Sequence, residues 1–187
     1  MSIREERRAA ALARMGEHLL REGLAGASLR ALAKAAGTSD RMLLYYFADK
    51  DEIVTATLEH VAAHLAALLD AAGSGAGPRP YPVLLDECAA AFRQADFQPF
   101  MWLWLELAAA AARGQEPHRA MAGRIADGFL AWAAARLDTA DPGEREAQAA
   151  LLLATVDGLA LLQAVGRGAA AGRALTAAVP RSAEAAP

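Results

Sequence analysis

An all-α fold is the class this 187-residue chain predicts, on three observations. Apolar residues make up 55% of the sequence but aromatics only 6%, so alanine and leucine dominate, and alanine is the best helix former. Apolar positions recur at spacings of three and four along most of the chain, as one face of a helix requires. No stretch alternates apolar and polar residues as a half-buried strand would.

The elements follow in order. A first helix runs from about Arg4 to Glu22. Ser28 is a good N-cap, because its hydroxyl accepts from an otherwise orphan backbone N–H, and Leu29, Leu32, Ala33 and Ala36 then line one face of a second helix. Gly37 stops it, since glycine enters a left-handed conformation without steric cost. Thr38 or Ser39 caps a third helix, Asp40 to Phe47, with Leu43 and Phe47 inward. Ala33 is small where two steeply crossing helices approach closely, so Ser28 to Lys50 reads as a helix-turn-helix.

Asp49 to Glu52 resembles a capping box opening a fourth helix, which continues to about Ala72 with Val54, Leu58, Val61, Leu65 and Leu68 as its apolar stripe. GSGAGPRPYP, Gly73 to Pro82, is the clearest loop. Helices at about 82–95, 99–113 and 119–137 follow, then the TADPGE break and a long helix at about 144–167. From Gly168 the chain is rich in Ala, Gly and Pro: a short helix at 170–179, then a frayed end.

Composition narrows the function classes. Residues 97–112 and 147–165 are apolar, but the first is short and carries Pro99 and Glu106, while the second would place Gln148 and Asp157 in lipid. Both read as buried helices, and no membrane partner is expected. The charged N-terminus is not a secretory signal, and the single Cys88 fits a reducing cytoplasm and a buried small hydrophobe. The net charge of −3 divides unevenly: residues 1–55 carry +1 and the remainder −4. Arg4, Arg7, Arg8, Arg30, Arg41 and Lys50 are all placed to reach one duplex face.

The string from about Met15 to Ile53 (Gly23, the Ser28 cap, SLRALAKAAG, LLYYF, then ADKDEI) resembles the DNA-binding domain of the tetracycline-repressor (TetR) family of bacterial regulators. It departs from the family pattern at Leu24 and Leu44, where aromatics are usual, and at Asp40, where a neutral or basic residue is common. The resemblance implies a three-helix DNA-binding domain at 1–52, followed at 53–187 by a helical effector-binding and dimerisation bundle whose tail, 169–187, is partly disordered. It further implies a cytoplasmic, nucleoid-associated homodimeric repressor on double-stranded DNA. The operator would be palindromic, and a small, mainly hydrophobic effector would release the protein. The dimer would form through helices 119–137 and 144–167; the latter, apolar nearly all round, needs cover from a partner.

By the same resemblance, the DNA-binding residues are Ser28, Arg30, Thr38, Ser39, Arg41, Met42, Leu44, Tyr45, Tyr46 and Lys50; Arg30, Thr38, Ser39, Arg41, Met42, Leu44 and Tyr45 face the groove, and Tyr46 and Lys50 reach phosphate. Arg30 and Arg41 suit a bidentate contact to guanine, Met42 and Leu44 an apolar contact such as a thymine methyl. Asp40 is expected to orient Arg41.

Phe92, Phe97, Phe100, Trp102, Trp104, Phe129 and Trp132 concentrate the aromatics in the middle helices, with Glu106 and Asp157 among the polar groups nearby. Apolar walls with a few polar groups describe a small-molecule site, although aromatics at helical spacing also make plain core. The expected effector-binding residues are Phe92, Phe100, Trp102, Leu105, Glu106, Phe129, Trp132 and Asp157; Glu106 and the indoles would also accept a cation. His60 and His64 lie four apart without a third ligand, so they read as solvated, and neither metal nor cofactor is expected. With no GxSxG, P-loop, GxGxxG or HExxH, an enzyme is the weak alternative. A constitutive DNA-binding regulator without a ligand is the stronger one.

Overall fold

The structure, a computed structural model, describes residues 3–73 and 77–179. Among these are nine α-helices and no strand. The helices are α1 (Ile3–Glu22), α2 (Leu29–Ala36), α3 (Asp40–Tyr46), α4 (Lys50–Ala72), α5 (Tyr81–Phe92), α6 (Gln98–Ala112), α7 (His118–Ala134), α8 (Pro142–Ala164) and α9 (Gly168–Ala178). Each predicted helix is present. Two single turns of 3-10 helix, Leu24–Gly26 and Ala95–Phe97, had no signal in the sequence pattern. The expected disorder of the tail concerns residues 180–187, which lie outside the described residues, as do 74–76 of the predicted loop. Residues 168–178 form α9, within two residues of the short helix expected at 170–179.

The chain divides into two compact units: residues 1–65 with 99–125, and residues 66–98 with 126–187. The division falls inside α4 and α7, with α6 and the start of α7 grouped with the N-terminal helices. In the first unit, Met15 and Leu19 of α1, Leu32 of α2, Leu43 of α3 and Ile53 of α4 have no exposed surface, which makes one core for the three-helix reader. Thr57 is also fully buried, and its hydroxyl satisfies itself by donating to the Ile53 carbonyl at 2.7 Å. Along α4, Val54, Leu58 and Val61 are buried as expected, but Leu68 is only half-buried and Leu69 takes the inward position.

In the second unit, α8 packs on α5 and α9 through Ala149, Leu152 and Val156. Asp141 caps α8, accepting from the Glu144 N–H at 2.7 Å, and Pro142 occupies the first helical turn, so the helix begins two residues before its predicted start. A short bridge fastens the other end: the Arg79 N–H donates to the Arg136 carbonyl at 2.7 Å, and the Asp138 N–H donates to the Arg79 carbonyl at 2.8 Å. Arg136 forks onto Asp70, at 2.6 Å from both Nε and Nη2, and lies 4.6 Å above the Trp132 ring.

Of the two apolar runs expected to be buried, α6 buries Phe100, Met101, Leu103, Leu107 and Ala110, whereas the run at 147–165 departs from expectation. Both α4 and α8 are long and apolar enough to cross a membrane by length and composition. Yet α8 is not a buried helix of this chain: Leu151, Leu161 and Val165 are 53%, 53% and 60% exposed.

Cys88 is buried on α5, as a small hydrophobe should be. Burial, reinforced by the Glu87 carboxylate, pushes its thiol up to about 12, against an opposing pull from Arg79 and Arg136. The folded thiol is raised, so its contribution to stability is intact below the unfolded thiol's range and declines as pH rises towards 12. Iodoacetamide at pH 8 should therefore label Cys88 only in denaturant, and Cys88→Ala should lose less stability than the parent when unfolding is compared at neutral pH and pH 10.

Candidate nucleic-acid interface

The interface is built around the turn between α2 and α3. Ser28 Oγ accepts from the Ala31 N–H at 3.2 Å and starts α2. Gly37 ends it with φ of 69°, in the left-handed region, and the Thr38 N–H returns to the Ala33 carbonyl at 2.9 Å. Ser39, rather than Thr38, then caps α3 by accepting from the Met42 N–H at 3.3 Å. The two caps and the glycine set where α3 begins.

Of the seven residues of α3, only Leu43 is buried. Arg41, Met42, Leu44 and Tyr45 stand outward; Met42 is 38%, Leu44 45% and Tyr45 61% exposed, a large apolar presentation for a soluble surface. Phe47 turns inward as the C-cap. Tyr46 is half-buried and meets the Tyr45 ring edge-to-face, with centroids 5.3 Å apart. Ser28, Arg30, Ser39 and Lys50 are exposed and Thr38 is half-buried.

Lys50 opens the first turn of α4. Asp49 accepts from the Glu52 N–H at 2.8 Å, and Glu52 reaches back to the Ala48 N–H at 2.6 Å, one residue beyond the usual capping box. Removing this cap by Asp49→Ala should cost about 1 kcal/mol in urea unfolding.

The basic residues separate into two groups. Among the described residues, no ion pair engages Arg7, Arg30, Lys34, Arg41 or Lys50, and each is exposed or at the exposed margin. Arg4, Arg8 and Arg14 are instead used inside the domain. Arg4 donates to the Tyr45 carbonyl at 3.3 Å and lies 5.1 Å above the Tyr45 ring. Arg8 lies 4.6 Å above the Phe47 ring and 3.9 Å from Glu52. Arg14 donates to the Ala36 carbonyl at 3.1 Å. Arg4 and Arg8, both expected to reach a duplex face, thus have partners within the unit: the Tyr45 ring and carbonyl for Arg4, the Phe47 ring and the Glu52 carboxylate for Arg8. Asp40 forms no ion pair with Arg41; it stands in the first turn of α3, where negative charge suits the helix N-terminus.

The eight expected effector residues fall into both units. In the first, Phe100 is buried edge-on to His64, Trp102 is exposed, Leu105 is half-buried, and Glu106 accepts from the Leu24 N–H at 2.7 Å. That carboxylate lies where a Cβ on Gly23 would be, 2.5 Å from Oε1, which, with φ of 65°, explains the glycine there. In the second unit, Phe92 meets Phe97 edge-on, Trp132 lies beside Phe129 and donates to Asp70 at 3.0 Å, and Asp157 is half-buried on α8. A cavity of about 10 Å³ beside Cys88 has Trp132 on its wall and room for about one water. His60 and His64 line an open groove of about 430 Å³ with Ala13, Gly16, Glu17, Leu20, Val61 and Ala63, and no cluster of three metal-ligating groups occurs among the described residues.

An outward recognition helix on a three-helix core is the architecture of a bacterial DNA-binding regulator. Residues 16–57 match the family model described as bacterial regulatory proteins, tetR family. No curated protein matches the chain. Among solved structures, a Rhodococcus sp. protein described as a TetR-family transcriptional regulator superposes with a TM-score of 0.71 at 21% identity, over 93% of this chain and 97% of that one. A transcriptional regulator from Rhodococcus sp. Rha1 gives 0.67 at 27% identity, over 95% and 94%. The multidrug binding protein EbrR, complexed with imidazole, gives 0.64 at 25% identity, over 98% and 96%. The chain carries the TetR-family DNA-binding domain and has the fold of the TetR-family transcriptional regulators.

Proposed function

We propose that this protein is a cytoplasmic, nucleoid-associated repressor that binds a palindromic operator as a homodimer and leaves it when a small, mainly hydrophobic effector binds. The observation that carries the DNA half is the exposed face of α3 bearing Arg41, Met42, Leu44 and Tyr45, flanked by the unpaired Arg30 and Lys50. A helix so presented enters the major groove by its N-terminal half. Arg41 and Arg30 then reach base edges, while Lys50 and Tyr46 hold phosphate.

The homodimer rests on α8. Ala147, Leu151, Ala154, Gly158, Leu161 and Val165 follow one another at spacings of four and three and are all exposed. This is a heptad-like seam of large and small apolar residues, and a Cβ on Gly158 would meet nothing within 4 Å in its own chain. A second copy supplies the cover, with the exposed Asp127 and Ala131 of α7 on the companion face.

The effector half rests on α6, where Trp102 is exposed and Leu105 and Glu106 follow on the same side, an indole and a carboxylate suited to an aromatic or cationic molecule. EbrR, at 25% identity, binds imidazole, which supports a small-molecule role. Phe92, Phe129, Trp132 and Asp157 remain candidates in their own unit. One observation favours the second reading, a constitutive DNA binder: the cavity beside Cys88 has room for only about one water.

Selection from a random duplex pool should enrich one inverted repeat with half-sites about one helical turn apart or somewhat more; failure of folded protein to enrich any sequence would sink the reading. Arg41→Ala should relax preference at one base position by about 1–3 kcal/mol. Lys50→Ala should weaken binding to all sequences and lower the salt slope by about 0.9. In sedimentation, Gly158→Arg should yield a folded monomer; a dimer of unchanged affinity would move the interface off α8.

A further inference from the structure

Arg4 stands three residues from the outward Arg7 on the same N-terminal helix, yet its guanidinium is bound to α3. It does two things at once there. It donates to the Tyr45 carbonyl, in the last turn of α3, where helix carbonyls lack intrahelical partners and a cation is favoured. It also stacks over the Tyr45 ring, whose other neighbour is the edge-on Tyr46. Tyr45 is the most exposed large hydrophobic side chain on α3, so these contacts are what restrict its otherwise free rotamers. The same device recurs ten residues later, where Arg14 donates to the Ala36 carbonyl at the end of α2.

We infer that Arg4 is a positioning residue for DNA reading: it holds Tyr45 and the end of α3 in the pose that meets the groove, and is not itself a phosphate contact. The inference rests on the DNA-binding reading above. A lysine can still hold phosphate as a point charge, whereas stacking on the ring while donating to a carbonyl needs the planar guanidinium, so Arg and Lys are not equivalent at this site.

The experiment compares Arg4→Ala, Arg4→Lys and, as a solvated control on the same helix, Arg7→Ala, using the selected operator and a scrambled duplex across a salt series. Positioning predicts that Arg4→Ala and Arg4→Lys both lower operator affinity by about three- to tenfold. Scrambled-duplex affinity and the salt slope should stay as in the parent. Full rescue by Arg4→Lys, or a slope reduced by about 0.9 in Arg4→Ala, would overturn the inference and make Arg4 a phosphate contact. A second measurement needs no DNA. In tyrosine-labelled free protein, Arg4→Ala and Arg4→Lys should both shift the Tyr45 ring resonances and Arg7→Ala should not. If the rings are indifferent to Arg4, the inference fails even where DNA binding holds. If the rings shift but no duplex is bound by the parent, it is the DNA reading that fails and Arg4's role in reading falls with it.

Discussion

Everything that the N-terminal unit presents depends on the left-handed turn at Gly37. A φ of 69° there lets the chain leave α2, returns the Thr38 N–H to the Ala33 carbonyl, and points Ser39 at the first free amides of α3. An L side chain at that position pays for the conformation, and its Cβ would also lie 3.0 Å from the Arg14 guanidinium that binds the Ala36 carbonyl. The turn, the cap and the arginine therefore form one constraint. With the turn set, Leu43 and Phe47 go inward, and Arg41, Met42, Leu44 and Tyr45 have nowhere to point but out.

That constraint explains why so short a helix can be specific in direction. Seven residues are too few for a helix to be stable by propensity, because nucleation is costly and few bonds repay it. Its order comes from its ends: Ser39 at the start, Arg4 at the last turn, and Phe47 packed beneath Arg8 where the chain turns into the Asp49 cap of α4. Each contact is modest alone, but together they restrain the backbone and leave the outward side chains unencumbered.

These local devices were legible in the sequence because each acts over three or four residues. Ser28, Gly37 and Asp49 state their roles within a single turn, and the elements they bound were found where predicted. The long-range partners were not legible. Arg4 and Tyr45 are 41 positions apart, Glu106 and Leu24 82, and Asp70 and Arg136 66, and nothing in the local pattern distinguishes a charged side chain that will find a distant carbonyl or carboxylate from one left in water. This is why the sequence pattern carried no sign of the Arg4–Tyr45 or Glu106–Leu24 contact. Periodicity also misjudged depth: it assigned Leu68 to the core of α4 in place of Leu69, since a stripe drifts round a helix of 23 residues.

The exposed seam of α8 bears on how the proposed switch must work. A reader held by caps at both ends of α3 and by packing beneath it resists internal rearrangement, so an effector that acted by melting it would have to overcome several independent contacts. Changing the spacing between two intact readers is less demanding, and only an oligomer has such a spacing to change. The effector must still bind the released arrangement more tightly than the operator-bound one, since equal binding to both shifts neither population. In the proposed dimer, the α8 seam is thus also what gives a small molecule something to move.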